Sequence, residues 1–292
     1  MVMSTPRLPD FYVLGAMKAA TTTLAAQLGA QDGIFMADPK EPNFFSDDDI
    51  FARGQGWYEK LFEGAGSGEL IGEASTHYTK WPDLPDAAQR LKAATPNAKF
   101  IYMIRHPVER ARSHAFHMIR KRHEAATIDE VAAKEPALWQ YGCYAAQLER
   151  WLEHFHADRF LIVSMERMSA EPEAEFARVL RYLGITGTWS EELAQMHSAQ
   201  MGYRVMPLEG GLMKLPLVRA MRRTLIPRGV KRAFRRARAI NTDQRFSPDV
   251  IRMLEEKLAP DLARLGEMCG TEVSLETYKD VVMREHLTLM SG

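Results

Sequence analysis

The stretch from Leu14 to Leu28 reads LGAMKAATTTLAAQL. It wedges one lysine, Lys18, and three consecutive hydroxyl residues, Thr21, Thr22 and Thr23, between an apolar run and a helix-like run. A strand that turns straight into a helix gathers backbone N–H groups and the positive end of the helix dipole at one point, and a lysine with hydroxyls adds charge and donors there. The guest this suits is a phosphate or a sulfate. The same residues also read as an ordinary capped helix start with a solvated lysine, because anion binding is a generic property of helix N-termini. The loop of nucleoside triphosphate enzymes requires G-x-x-x-x-G-K-[ST]. Ala20 and Thr21 stand where its second glycine and its lysine would be, so ATP and GTP lose support.

A second set lies in KFIYMIRHPVERARSHAFH, Lys99 to His117. An apolar run ends at Arg105, Pro107 suits the first turn of a helix, and Ser113 falls two turns along it. Arg105 can make a forked contact with a second phosphate while Ser113 donates a hydroxyl hydrogen bond. The competing reading pairs Arg105 with Glu109 and leaves Ser113 as a small packing residue. For a general base the candidate is Glu41 in DPKEPNFF. Pro42 biases it toward extended backbone, Phe44 and Phe45 anchor the segment, and an apolar neighbourhood raises its pKa toward that of a useful base. The alternative is a surface turn made by Lys40 and Glu41. Glu73 in IGEASTHY, at a strand end, is a candidate to orient Lys18 or touch an acceptor, and His77 is a reserve base; a plain strand-end carboxylate and a packed histidine compete with these roles. His114 and His117 fall three apart on a predicted helix, but no carboxylate or third ligand completes a set, so no metal is expected.

These side chains need a scaffold that brings loops together. Short apolar runs at Phe11 to Leu14, Leu70 to Gly72, Lys99 to Ile104 and Arg159 to Ser164 read as buried strands. Between and after them, Thr22 to Leu28, Ala87 to Ala94, Val108 to Arg120, Tyr144 to Phe155 and Glu173 to Leu183 repeat apolar residues at three- and four-residue steps, as helices do. The alternation predicts an α/β fold, a mainly parallel sheet covered by helices, whose ligands bind beyond the carboxyl ends of the strands. One domain over residues 1–292 is expected, with no repeat and no Gly/Ser/Pro-rich linker. From Gly210 to Thr242 there is no Asp or Glu, and a run of Lys and Arg from Lys214 to Arg238 reads as a basic helical insertion or lid at about 210–242. It suits phosphates, an anionic glycan, a peripheral membrane contact or plain solvation. A further helix is predicted to start at Ser247, the cap, and Pro248.

Lys+Arg and Asp+Glu each total 38, so overall charge points to neither nucleic acid nor a membrane. Cys143 and Cys269 are far apart, and no stretch approaches the ~18 apolar residues of a membrane helix. MVMSTPRLPD lacks the apolar core of a signal peptide. A cytoplasmic, reduced protein is the expectation.

The K-x-x-T-T-T loop after a strand, followed by R-x-P-x-E-R-x-x-S after another, resembles the two nucleotide-binding signatures of sulfotransferases that use 3′-phosphoadenosine 5′-phosphosulfate (PAPS). K-E-P-N-F-F between them is similar to the heparan-type and bacterial carbohydrate enzymes more than to the steroid and phenol enzymes. The likeness spans roughly the first two thirds of the chain. It implies a P-loop-like central parallel sheet in a single domain, PAPS as donor and adenosine 3′,5′-bisphosphate (PAP) as product. It also implies a 5′-phosphosulfate gripped by Lys18, Ala19, Ala20, Thr21, Thr22 and Thr23, and a 3′-phosphate held by Arg105 and Ser113. Glu41 takes the place of the catalytic glutamate. Glu73 takes that of an acidic residue followed by lysine, which Ala74 replaces; Tyr203 is a candidate to touch the acceptor or support the residues that do, and the basic block that follows Gly202-Tyr203-Arg204 corresponds loosely to a late cofactor-covering segment. The family loop carries glycine where Ala19 and Ala20 stand; the expectation is helical or bridge geometry at both alanines, the alternative reduced cofactor affinity. The implied reaction is sulfuryl transfer to a hydroxyl or amine of a carbohydrate or glycolipid. A P-loop kinase of a small substrate and a non-enzymatic basic-patch module are the competing functions.

Overall fold

The computed structural model describes residues 7–122, 126–198 and 244–290. Strands β1 (Phe11–Gly15), β2 (Ile34–Met36), β3 (Leu70–Ala74), β4 (Lys99–Ile104) and β5 (Phe160–Ser164) all pair in parallel, in the order β2-β3-β1-β4-β5. Every residue of β1 and all but the first of β4 are buried, which is why these strands read as unbroken apolar runs rather than alternating ones. β2 is three residues long, too short to leave a pattern in the sequence, and it pairs only with β3. Helices Thr21–Gly29, Ala87–Ala94, Pro107–Arg122, Tyr144–Leu152 and Pro172–Leu183 follow or link the strands as the periodicity predicts.

From β1 the chain lays β2 and β3 to one side and then β4 and β5 to the other. The crevice between the carboxyl ends of β1 and β4 is therefore the topological switch point, where such sheets bind ligands. Two glycines allow close approach, Gly72 to the strands on either side of β3 and Gly15 to the segment Thr76–Thr79. A Cβ at Gly72 would run into the Phe11 ring and the Met36 sulfur of the strands on either side. At Gly15 the φ of +150° places any Cβ on the Thr79 hydroxyl, which donates to Leu14 O at 3.1 Å.

A second apolar cluster, away from the sheet, fixes the helix that carries Ser113. It gathers Ala111, Ala115 and Ile119 of that helix with Leu254 and Leu258 of the helix Pro248–Cys269. That later helix begins as expected, with the Ser247 hydroxyl accepting from Val250 N at 3.5 Å and Pro248 in its first turn. Among the described residues no helix is long and apolar enough to cross a membrane.

Candidate active site

Lys18, Glu73 and Arg105 sit at the carboxyl ends of β1, β3 and β4, three neighbouring strands. In the loop after β1 the chain turns with Lys18 at φ 73° and Ala20 at φ 65°, ψ 21°. Ala20 is thus left-handed, and the expectation of helical or bridge geometry at both alanines fails there. The tight turn needs an αL residue directly before the helix, and Ala20 fills it without glycine's freedom. Alternation of this kind turns successive N–H groups into one concavity that suits an anion. Among the described residues the N–H groups of Lys18 and Ala20 and the hydroxyls of Thr21, Thr22, Thr23 and Ser113 have no protein partner.

The Lys18 ammonium is pressed by like charge. Burial pushes it down to about 8, and Arg120, Arg105 and Arg110 push the same way, with Glu41 pulling against them. Such a concentration of positive charge is stable when an anion completes it. Arg105 lies with its guanidinium 3.5 Å from Lys18 O and 3.8 Å from Glu109. Glu109 is held more closely by Arg112 at 2.7 Å and Arg245 at 3.1 Å, so the predicted Arg105–Glu109 pair is present but is the loosest of the three. The backbone of Arg105 is clamped by Tyr144, whose hydroxyl donates to Arg105 O at 2.6 Å and accepts from Arg105 N at 3.2 Å. Beneath the loop, Arg110 is fully buried; it donates to Met17 O at 3.5 Å and to Leu138 O, and among the described residues no carboxylate pairs with it.

Glu41 departs from expectation in two ways. Its φ is 62°, not extended, because the turn is stitched to the end of β3: Glu41 N donates to Ala74 O at 3.1 Å and Asn43 N to the Ser75 hydroxyl at 3.2 Å. Its pKa is lowered rather than raised. Burial pushes the carboxyl up, but the Lys40 ammonium at 2.7 Å and the Thr76 hydroxyl at 3.1 Å outweigh it. Glu41 is therefore ionised at neutral pH and about a third exposed. The Phe44 ring stacks on Tyr58 at 4.4 Å, and Phe45 is buried beside it. Burial, Lys80 and other charges push His77 down to about 4, so its imidazole is neutral, with a buried Nδ1 that has no partner among the described residues.

Glu73 is wholly buried and accepts from the hydroxyls of Tyr58, Ser75 (2.5 Å) and Tyr78 (3.0 Å). Its carboxylate is taken up by these three, and Lys18 is not among its partners. Burial pushes it up to about 7, against the pull of the three hydroxyls and Lys40.

Arg110 and Arg120 had no role in the sequence motifs, and His117 entered there only as one half of a histidine pair weighed for a metal. Arg110, His117 and Arg120 reach Lys18 from the helix that also holds Ser113, the imidazole of His117 pushed down to about 4 by burial and by Lys18. Their signal was the three- and four-residue spacing of Arg110, Ser113, His117 and Arg120 along one helix face. His114 stacks on Tyr141 with centroids 5.8 Å apart, and among the described residues no three His, Cys, Asp or Glu side chains gather to hold a metal ion. Tyr203 and the basic run 214–238 lie outside the described residues.

The chain is similar to known proteins in sequence and in fold. The profile of the sulfotransferase family matches residues 68–191, a span holding Glu73, His77, Arg105 and Ser113. Human heparan sulfate glucosamine 3-O-sulfotransferase 3B1 is 30% identical over 188 residues, 61% of this chain and 47% of that protein. The bifunctional heparan sulfate N-deacetylase/N-sulfotransferase 1 of Xenopus laevis is 26% identical over 228 residues, 71% of this chain and 26% of that protein. The chain thus spans about half the length, or less, of these relatives. Among solved structures, a sulfotransferase from Alicyclobacillus acidocaldarius superposes with a TM-score of 0.66 at 23% identity, covering 96% of this chain and 100% of that one, and so shares its fold. The kinase and basic-module alternatives find no support in these matches.

Proposed function

We propose that this chain, a relative of the sulfotransferases in sequence and in fold, moves the sulfuryl group of PAPS to a hydroxyl or amine of a carbohydrate or glycolipid acceptor. The observation that carries the reading is the meeting of Lys18, Arg105, Arg110 and Arg120 at the β1–β4 switch point beside unpartnered hydroxyls and N–H groups. A nucleotide with phosphates at both ends suits a site to which two cationic loops contribute, one after β1 and one after β4.

Sulfuryl transfer, like phosphoryl transfer, asks the protein to align donor and acceptor, stabilise the leaving phosphate and take a proton from the acceptor. In this reading Lys18 neutralises charge that develops on the bridging oxygen, and the N–H groups and threonine hydroxyls of its loop cradle the 5′-phosphate. Arg105 and Ser113 hold the 3′-phosphate, Arg105 fixed in place by Tyr144. Glu41 takes the acceptor's proton. Its lowered pKa means that it is ready to accept at neutral pH without first losing a proton, at some cost in basicity. Two free cysteines, Cys143 and Cys269, support a reducing, cytoplasmic setting within the same proposal.

Calorimetric titration with PAP tests the assignment. Lys18→Ala and Arg105→Ala should each weaken binding by about tenfold or more, the cost of one charge-assisted contact. Unchanged affinity in both variants would sink it. Glu41→Ala should keep PAP affinity and lose turnover by roughly 10²-fold or more; normal turnover would reject Glu41 as the base.

A further inference from the structure

Glu73 is buried without any contact to Lys18, yet the chain spends three hydroxyls on it. A carboxylate in the interior costs several kcal/mol unless its lone pairs are taken up, so a site that keeps one and satisfies it is ordering something. What it orders can be followed bond by bond. Ser75 donates its hydroxyl to Glu73 at 2.5 Å, which aims the lone pairs of the same oxygen at Asn43 N, 3.2 Å away. Tyr58 donates to the other carboxylate oxygen, and the Tyr58 ring stacks face to face on Phe44, 4.4 Å between centroids and 7° between planes. Tyr78 closes the shell at 3.0 Å.

The segment reached from both sides is Glu41 to Phe44. Its backbone runs through two left-handed non-glycine residues, Glu41 at φ 62° and Asn43 at φ 55°. Such conformations persist only where surrounding contacts over-determine them. The contacts here come from one short stretch of β3 and its exit: Ala74 O and the hydroxyls of Ser75 and Thr76, the last donating to Glu41 itself at 3.1 Å.

We propose that Glu73 is a positioning residue for Glu41: through Ser75 on one side and Tyr58 on the other, it holds the Glu41–Phe44 turn in the conformation that presents the Glu41 carboxylate to the cleft. The proposal rests on the reading of Glu41 as the base. In this proposal Glu73 acts through its hydroxyl partners Ser75 and Tyr58 and not on the donor or acceptor itself. Glu73→Gln puts an N–H donor where the carboxylate accepts, so at least one of the hydroxyls loses its acceptor. Ser75→Ala cuts the link to Asn43 and leaves Glu73 in place.

The experiment uses the full chain and both variants, and reads amide hydrogen exchange over residues 40–45, PAP affinity and turnover with PAPS. Exchange over 40–45 should quicken by about tenfold in each variant, as expected for loss of one buried hydrogen bond. PAP affinity should stay within about twofold, because Lys18, Arg105 and Ser113 are untouched, while kcat should fall by about tenfold to a hundredfold, the effect of a misplaced catalytic group. Unchanged exchange in both variants overturns the proposal, as does a kcat loss matched by an equal loss of PAP binding. If Glu73→Gln does not fold, Ser75→Ala decides. If wild-type protein binds no PAP and transfers nothing, the functional reading fails, and the exchange result alone decides whether Glu73 holds the turn.

Discussion

At Lys18 and Ala20 the backbone takes up left-handed conformations, with φ of 73° and 65°, each of which costs an L-residue roughly 1–2 kcal/mol. Glycine at position 20 removes that cost but adds unfolded-state entropy worth about 0.4–1 kcal/mol. Ala20→Gly should therefore raise stability by up to about 1 kcal/mol in urea unfolding and leave PAP affinity unchanged, since the N–H groups stay in place. A destabilised variant would show that the loop gains more from the Ala20 methyl than it loses to strain. The lysine carries a second prediction. Burial and three guanidinium groups bring Lys18 down to about 8 in the free protein, and anion binding needs its charged form. PAP affinity should be flat below about pH 8 and fall toward tenfold per unit above it, where each unit leaves a tenth of the ammonium. Lys18→Arg keeps the charge at every accessible pH and should flatten the profile. A wild-type affinity that holds constant to pH 10 would remove Lys18 from the phosphate.

The elements that aim these residues form a relay. Asp261, in the helix Pro248–Cys269, accepts from Ala145 N at 3.0 Å and Ala146 N at 2.9 Å, capping the helix Tyr144–Leu152 from outside. Tyr144, the first residue of that helix, clamps both backbone groups of Arg105. Tyr144→Phe should weaken PAP binding severalfold while leaving the melting transition cooperative, because the buried ring is kept and only the clamp is lost; full PAP affinity in that variant would show that Arg105 needs no such hold. Asp261→Ala should cost about 1–2 kcal/mol of stability, the usual effect of losing a helix cap. Much of this scale was legible in the sequence. Parallel strands buried on both faces leave apolar runs, and Ser247-Pro248 spells its own cap, so β1, β3, β4, β5 and the longer helices could be read locally, whereas the short helices Ile128–Lys134, Met165–Ala170 and Tyr278–Arg284 could not. Lys18 and Arg105 were legible because they directly follow strands whose carboxyl ends must share an edge. β2 had too few residues to leave a period. The left-handed turn at Glu41 and its lowered pKa are set by Ala74, Ser75, Thr76 and Lys40, of which only Lys40 is a neighbour in sequence. The helix face of Arg110, His117 and Arg120 was missed because its residues were read as separate motifs rather than as one stripe.

Over the whole molecule acidic and basic residues balance at 38 each, so the cationic site arises from sorting charge rather than from excess. Sorting of this kind destabilises the free protein and makes an anionic ligand a structural partner. Saturation with PAP at 100 times its Kd should stabilise the fold by about 2.7 kcal/mol, and added salt should reduce PAP affinity while screening the repulsion within the free site. The same charges fix a pH signature of opposite sign. Lys18 and Lys80 both fall to about 8 in the folded protein from 10.5, burial being the first cause for each, so above about pH 8 the unfolded chain binds more protons than the folded one. Stability of the free protein should then rise with pH from about 8 to about 9, before the thiols of Cys143 and Cys269, pushed up to about 12 by burial, begin to oppose it. Over that same interval PAP affinity falls. Urea unfolding of wild type and Lys18→Met across pH 7–9 separates the terms: the variant should be the more stable at pH 7, and the gap should narrow as wild-type Lys18 sheds its proton. A gap that stays constant with pH would mean that Lys18 is not under the strain its neighbours imply, and that the site does not depend on its ligand for balance.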